Sequence, residues 1–130
     1  MSRRFRLLLA AVAAVPPLAW AGPAAADTVP AFSCDYRFSA WTGGFVADLT
    51  VVNHGPAVNG WAARWTFRSA TGNLTAWQAR MAQPDPFTVT ATNESYNALI
   101  DAGRSVRFGW TASAASTEVP SDITVNGVPC

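Results

Sequence analysis

The chain has 130 residues, half of them hydrophobic and 13% charged, with nine arginines, no lysine and eight acids. That length suits one two-layer domain, and no run after residue 26 is basic, which argues against nucleic acid or an anionic membrane as partner. The single histidine, His54, has none of the neighbouring ligands that a metal site needs.

The first segment reads as a secretory signal. Arg3, Arg4 and Arg6 precede an apolar stretch from Leu7 to Ala21, and Ala24-Ala25-Ala26 supplies the small residues of a cleavage site before Asp27. Pro16 and Pro17 interrupt the apolar stretch and argue against a membrane helix. The Arg3-Arg4 pair leaves a twin-arginine route open beside ordinary secretion. Without residues 1–26 the chain keeps six arginines against eight acids, a net charge of −2, so an uncharged extracellular partner is expected. Residues 27–33 read as a short leader and 34–130 as the working module, a monomer with no further domain.

From Cys34 the pattern has period two. Cys34, Tyr36, Phe38 and Ala40 alternate with Asp35, Arg37 and Ser39, and Phe45, Ala47, Leu49 and Val51 alternate with Val46, Asp48, Thr50 and Val52. Trp61, Ala63, Trp65 and Phe67 form a third apolar series. Leu74–Ala82 and Phe87–Thr92 are further strands, followed by Val106, Phe108 and Trp110 around Arg107 and Gly109, and by Ile123–Val125. Turn sequences separate them: Asn53-His54-Gly55-Pro56, Asn59-Gly60, Gln83-Pro84-Asp85-Pro86, Asp101-Ala102-Gly103 and Asn126-Gly127. No segment has the pattern of a capped amphipathic helix. The chain is therefore predicted to be all-β, an antiparallel β-sandwich of jelly-roll or immunoglobulin-like type. An even cysteine count in an exported chain favours a disulfide between Cys34 and Cys130, joining the domain ends, over two free thiols.

Three aromatics do not fit the core. Trp41 meets a turn in Trp41-Thr42-Gly43-Gly44-Phe45, Trp77 follows the polar Ser69-Ala70-Thr71-Gly72-Asn73, and Tyr96 lies in Thr92-Asn93-Glu94-Ser95-Tyr96-Asn97. Together they suggest an exposed platform. Trp61, Trp65 and Trp110 fall on apolar strand faces and are assigned to the core.

These pieces, with Asn59-Gly60-Trp61, Trp65-Thr66-Phe67, Phe108-Gly109 and the two cysteines, resemble a family 2 carbohydrate-binding module of the bacterial cellulose-binding type from Cys34 to Cys130. The resemblance implies a nine-stranded jelly-roll sandwich and a flat face that docks on insoluble polysaccharide. It places Trp41, Trp77 and Tyr96 on that face, with Gly44, Asp48, Asn97 and Arg107 in the sugar-binding set. Ser39, Asp48, Thr75, Arg107 and Thr111 stand where the family often has amides. Gly44, where the xylan-binding branch has arginine, implies that the Trp41 ring lies flat, which favours cellulose, with chitin or xylan as alternatives. The expected activity is binding without catalysis or cofactor. No acid pair is marked for glycoside hydrolysis, and an N-terminal Asp27 lacks the histidine of a copper-dependent oxygenase. A truncated remnant or accessory of a glycoside hydrolase, a β-sandwich protein-interaction or cell-wall module, and a small enzyme with an unrecognised loop site remain as other readings.

Overall fold

The computed structural model describes residues 30–130. The signal segment, its cleavage site and Asp27 lie outside the described residues. Eleven strands form: β1 (Phe32–Trp41), β2 (Gly44–Asn53), β3 (Val58–Asn59), β4 (Ala62–Thr66), β5 (Thr71–Trp77), β6 (Ala79–Asp85), β7 (Thr88–Asn93), β8 (Leu99–Ile100), β9 (Ser105–Ala114), β10 (Thr124–Val125) and β11 (Val128–Pro129). No helix occurs among the described residues.

Nine of these strands make the sandwich. One sheet has the order β1-β2-β9-β5 and the other β11-β10-β4-β7-β6, while β3 and β8 pair by themselves; every pairing is antiparallel. The period-two series supply the inner faces. Phe45, Leu49, Val51, Phe108 and Trp110 of the first sheet and Ala63, Trp65, Val89, Ala91 and Val125 of the second are fully buried, and Trp61 joins them. Asn53 and Thr71 are the buried polar residues among those described, and Asn53 is the deeper. Its amide Nδ2 donates to the carbonyls of Pro56 (2.8 Å) and Ile100 (2.9 Å), while Oδ1 accepts the Gly55 N–H (3.0 Å), so it ties the end of β2 to β8.

Two sequence expectations are corrected. Leu74–Ala82 is two strands in different sheets, because Gln78 adopts a left-handed φ of 61° and turns the chain across the sandwich edge in one residue. Phe38 and Ala40 continue the inward series of β1, yet both are exposed, Phe38 by 39%. On this edge strand Phe32 and Tyr36 are covered, and the cover ends beyond Tyr36.

The Cys34–Cys130 disulfide spans 96 positions and joins β1, an edge of the first sheet, to the residue after β11, an edge of the second. Replacing both cysteines with serine is expected to lower unfolding free energy by about 4–5 kcal/mol, since the loop it closes is nearly the whole domain; a urea titration of both forms measures this. Asn53→Ala is expected to cost roughly 2–4 kcal/mol in the same titration, because it strands two carbonyls and an N–H at a buried site.

Candidate functional site

The outer face of the first sheet is read directly from its register. Residues opposite one another share a face, so the pairings build transverse rows: Trp41, Gly44 and Ser113; then Ser39, Val46, Thr111 and Thr75; then Arg37, Asp48, Gly109 and Trp77; then Asp35, Thr50 and Arg107. Trp41 comes from one edge strand and Trp77 from the other. Both indoles remain open to solvent, 54% and 42% exposed, while Tyr96 is 71% exposed in the loop between β7 and β8.

Each tryptophan stands opposite a glycine on the adjoining inner strand. A methyl group built on Gly44 would lie 2.7 Å from the Ala112 carbonyl oxygen, 3.0 Å from Trp41 Nε1 and 3.2 Å from Cε2; one on Gly109 would collide with Trp77 Cζ2 and lie 2.6 Å from Cε2. Each ring thus lies against a stretch of bare backbone instead of standing off the sheet. The two glycines are two rows apart on neighbouring strands, roughly 13 Å along the strands and about 4.8 Å across.

The Tyr96 loop is fastened to the chain next to Trp77. Asn97 Nδ2 donates to the Gln78 carbonyl (2.6 Å), its Oδ1 accepts the Glu94 N–H (2.8 Å), and its backbone carbonyl accepts the buried Trp61 indole N–H (2.8 Å). Arg80 Nε donates to the Glu94 carboxylate at 3.2 Å. Asn97, expected among the sugar-contacting residues, is thus bonded to its own loop and to the corner at Gln78.

Charge on the face is internally paired. Arg107 Nη2 meets Asp48 Oδ2 at 3.0 Å and Arg37 Nε meets Asp35 Oδ2 at 3.1 Å, the arginines being largely exposed. Arg37, Ser39, Asp48, Trp77, Gln78 and Arg107 line a shallow groove of about 460 Å³. Such pairs present both donors and acceptors to a neutral, hydroxyl-rich ligand. Among the described residues no three His, Cys, Asp or Glu side chains cluster as a metal site.

The sequence places Gly109 outward and gives it no role. An interior strand glycine often marks close approach of another group, which was the available signal. Gln78 carried none, because its left-handed backbone follows from the corner it occupies. Asn73, which in the sequence only ends the polar stretch before Trp77, has φ 53° at the β5 bulge and donates from Nδ2 to Ser113 Oγ at 3.3 Å, on the Trp41 row.

Residues 32–130 match the family model described as a cellulose binding domain. The chain belongs to the family 2 carbohydrate-binding modules. It is 36% identical over 110 residues to endoglucanase C of Cellvibrio japonicus, covering 82% of this chain and 14% of that protein. It is 32% identical over 133 residues to endoglucanase CelA of Streptomyces lividans, covering all of this chain and 28% of that one. The module thus spans less than a third of the length of either relative. Among solved structures, the chitin-binding domain of Chi18aC from Streptomyces coelicolor aligns with a TM-score of 0.63 and 29% identity, over 77% of this chain and 94% of that one. The cellulose-binding family 2 domain of ScLPMO10C aligns at 0.55 and 29% identity, over 78% and 96%.

Within this module the Asn97 contacts should hold the Tyr96 loop to the corner. Asn97→Ala is expected to cost about 1–3 kcal/mol by leaving the Glu94 N–H and the Gln78 carbonyl without their partner. Faster amide hydrogen exchange confined to residues 94–97, together with a lower urea midpoint, would register the loss.

Proposed function

We propose that this chain is a secreted, non-catalytic module that adsorbs to crystalline cellulose through Trp41, Trp77 and Tyr96. The observation that carries the reading is the pair of solvent-open indoles, each laid over a glycine, on one face of one sheet. The broad face of a β-1,4-linked glucan presents axial C–H groups that fit an electron-rich ring, and its equatorial hydroxyls stay free for polar neighbours such as Asp48, Arg107, Ser39 and Thr75. Rings held by the sheet lose little freedom on meeting a rigid polymer. Asn97 contributes by holding the Tyr96 loop, and Gly44 by admitting the Trp41 ring. Asp35 and Asp48 are engaged with arginines, consistent with a binding face without a catalytic acid. The arginine-rich start and apolar run of the chain support export.

Chitin is the second reading, favoured by the likeness to a solved chitin-binding domain and by the similar ribbon shape of the polymer. Adsorption isotherms on microcrystalline cellulose, chitin and insoluble xylan rank the three.

Binding to cellulose is expected to persist in high salt, because neither partner brings net charge to the contact. Trp41→Ala and Trp77→Ala are each expected to weaken the partition coefficient roughly 5- to 150-fold, the equivalent of about 1–3 kcal/mol for one stacked ring. Unchanged adsorption by both folded variants would sink the platform, and release of soluble sugar by the purified protein would restore an enzymatic reading.

A further inference from the structure

We propose that Gly109 is the positioning residue of this face: by having no side chain it sets the inclination of the Trp77 ring, and so selects a flat crystalline surface over loosely ordered chains. The inference rests on the adsorption reading above and extends it to a residue that touches no ligand.

Gly109 sits in the middle of β9, where every other outward position carries a side chain: Ser105, Arg107, Thr111 and Ser113. Glycine in a strand interior weakens the strand, so its presence needs a cause. Backbone conformation is not that cause. Gly43, Gly60, Gly103 and Gly127 have positive φ in turns, whereas Gly109 does not. What surrounds Gly109 is the Trp77 ring on one side and the Ala47 carbonyl oxygen, 2.8 Å from a built Cβ, on the other. A methyl group could not slide away from the indole without meeting Ala47. The flexible partner is the ring, which would have to leave the sheet.

That displacement matters because of where the ring lies. Trp77 is anchored on an edge strand and reaches over Gly109 toward β2, beside Asp48 and Arg107. Lifted, it would stand above the level of Trp41, which its own glycine keeps low. A rigid crystal face must meet all the rings at one height. A hydrated, disordered chain can bend to a raised ring, so it suffers less. Gly109 and Gly44 thus each seat an indole, Trp77 more closely than Trp41, and the level of the face depends on both.

The test is Gly109→Ala, made alone and in the Trp77→Ala background, with adsorption measured on crystalline cellulose and on acid-swollen amorphous cellulose and with acrylamide quenching of tryptophan fluorescence. Expected results are a loss of about fivefold or more on the crystalline solid, a smaller loss on the amorphous one, stronger quenching, and no further effect of the methyl group on adsorption once Trp77 is gone, its contact with the Ala47 carbonyl costing stability alone. If Gly109→Ala unfolds the parent but folds in the Trp77→Ala background, the ring and the glycine are coupled as proposed. Equal losses in both backgrounds, unfolding in both, equal losses on both celluloses, or wild-type adsorption by the single variant would each overturn the proposal. Failure of the underlying reading looks different: Trp77→Ala would then adsorb like wild type, while quenching would still report whether the methyl group moves the ring.

Discussion

The contact between Trp65 and Trp110 holds the two sheets together and, through the pleat, determines what the outer face presents. Their ring centres lie 5.0 Å apart, with Phe108 6.2 Å from Trp65 and Tyr36 5.6 Å from Trp110. Trp61 stacks on Phe108 at 5.1 Å. Neither central indole N–H meets a protein acceptor, and an N–H buried without a partner costs about 1–3 kcal/mol. The roughly 150–250 Å² that each such ring removes from water offsets it. Because strand side chains alternate, seating Phe108 and Trp110 inward forces Arg107, Gly109 and Thr111 outward. The aromatic outer face is thus a consequence of the core register, and a slip of one residue would exchange the inner and outer sets.

The face is also shaped by its edges. Trp41 and Trp77 occupy the two edge strands of one sheet, where nothing stacks beyond them, and each leans back over an inner strand across a glycine. Leaning inward brings rings from opposite edges toward the middle of the sheet. Gln78 then carries the chain to the other sheet in one step, and Asn97 uses that same residue as the anchor for the loop bearing Tyr96. One corner of the sandwich therefore sets the position of one indole and fastens the loop of the phenol. The charged groups among them are already paired, so the face offers hydrogen-bonding capacity without demanding a charged partner.

Much of this was legible in the chain because burial imposes a period. The alternation through 45–52 and 106–110 predicts both strands and their inward residues, and the turn sequences mark most of the breaks. It failed where the cause is not local. The segment 74–82 looks like one strand, since nothing in Gln78 itself announces a left-handed corner. Phe38 obeys the alternation and is still exposed, because alternation says which way a side chain points and not whether anything lies there to cover it. Gly109 reads as an outward residue in the sequence, but its partner lies 32 positions away, and only the register shows that the partner is Trp77.

Sequence alone pointed to the fold class, the pairing of the terminal cysteines and the burial of Trp61, Trp65 and Trp110, because hydrophobic period and cysteine count are properties of the linear chain. Tertiary structure decided which residues stand opposite one another: glycine beneath each indole, Asp48 against Arg107, Asn97 turned to Gln78. Those pairings depend on strand register between distant segments. Register is set by how the whole core packs, and no short stretch of this chain contains that information.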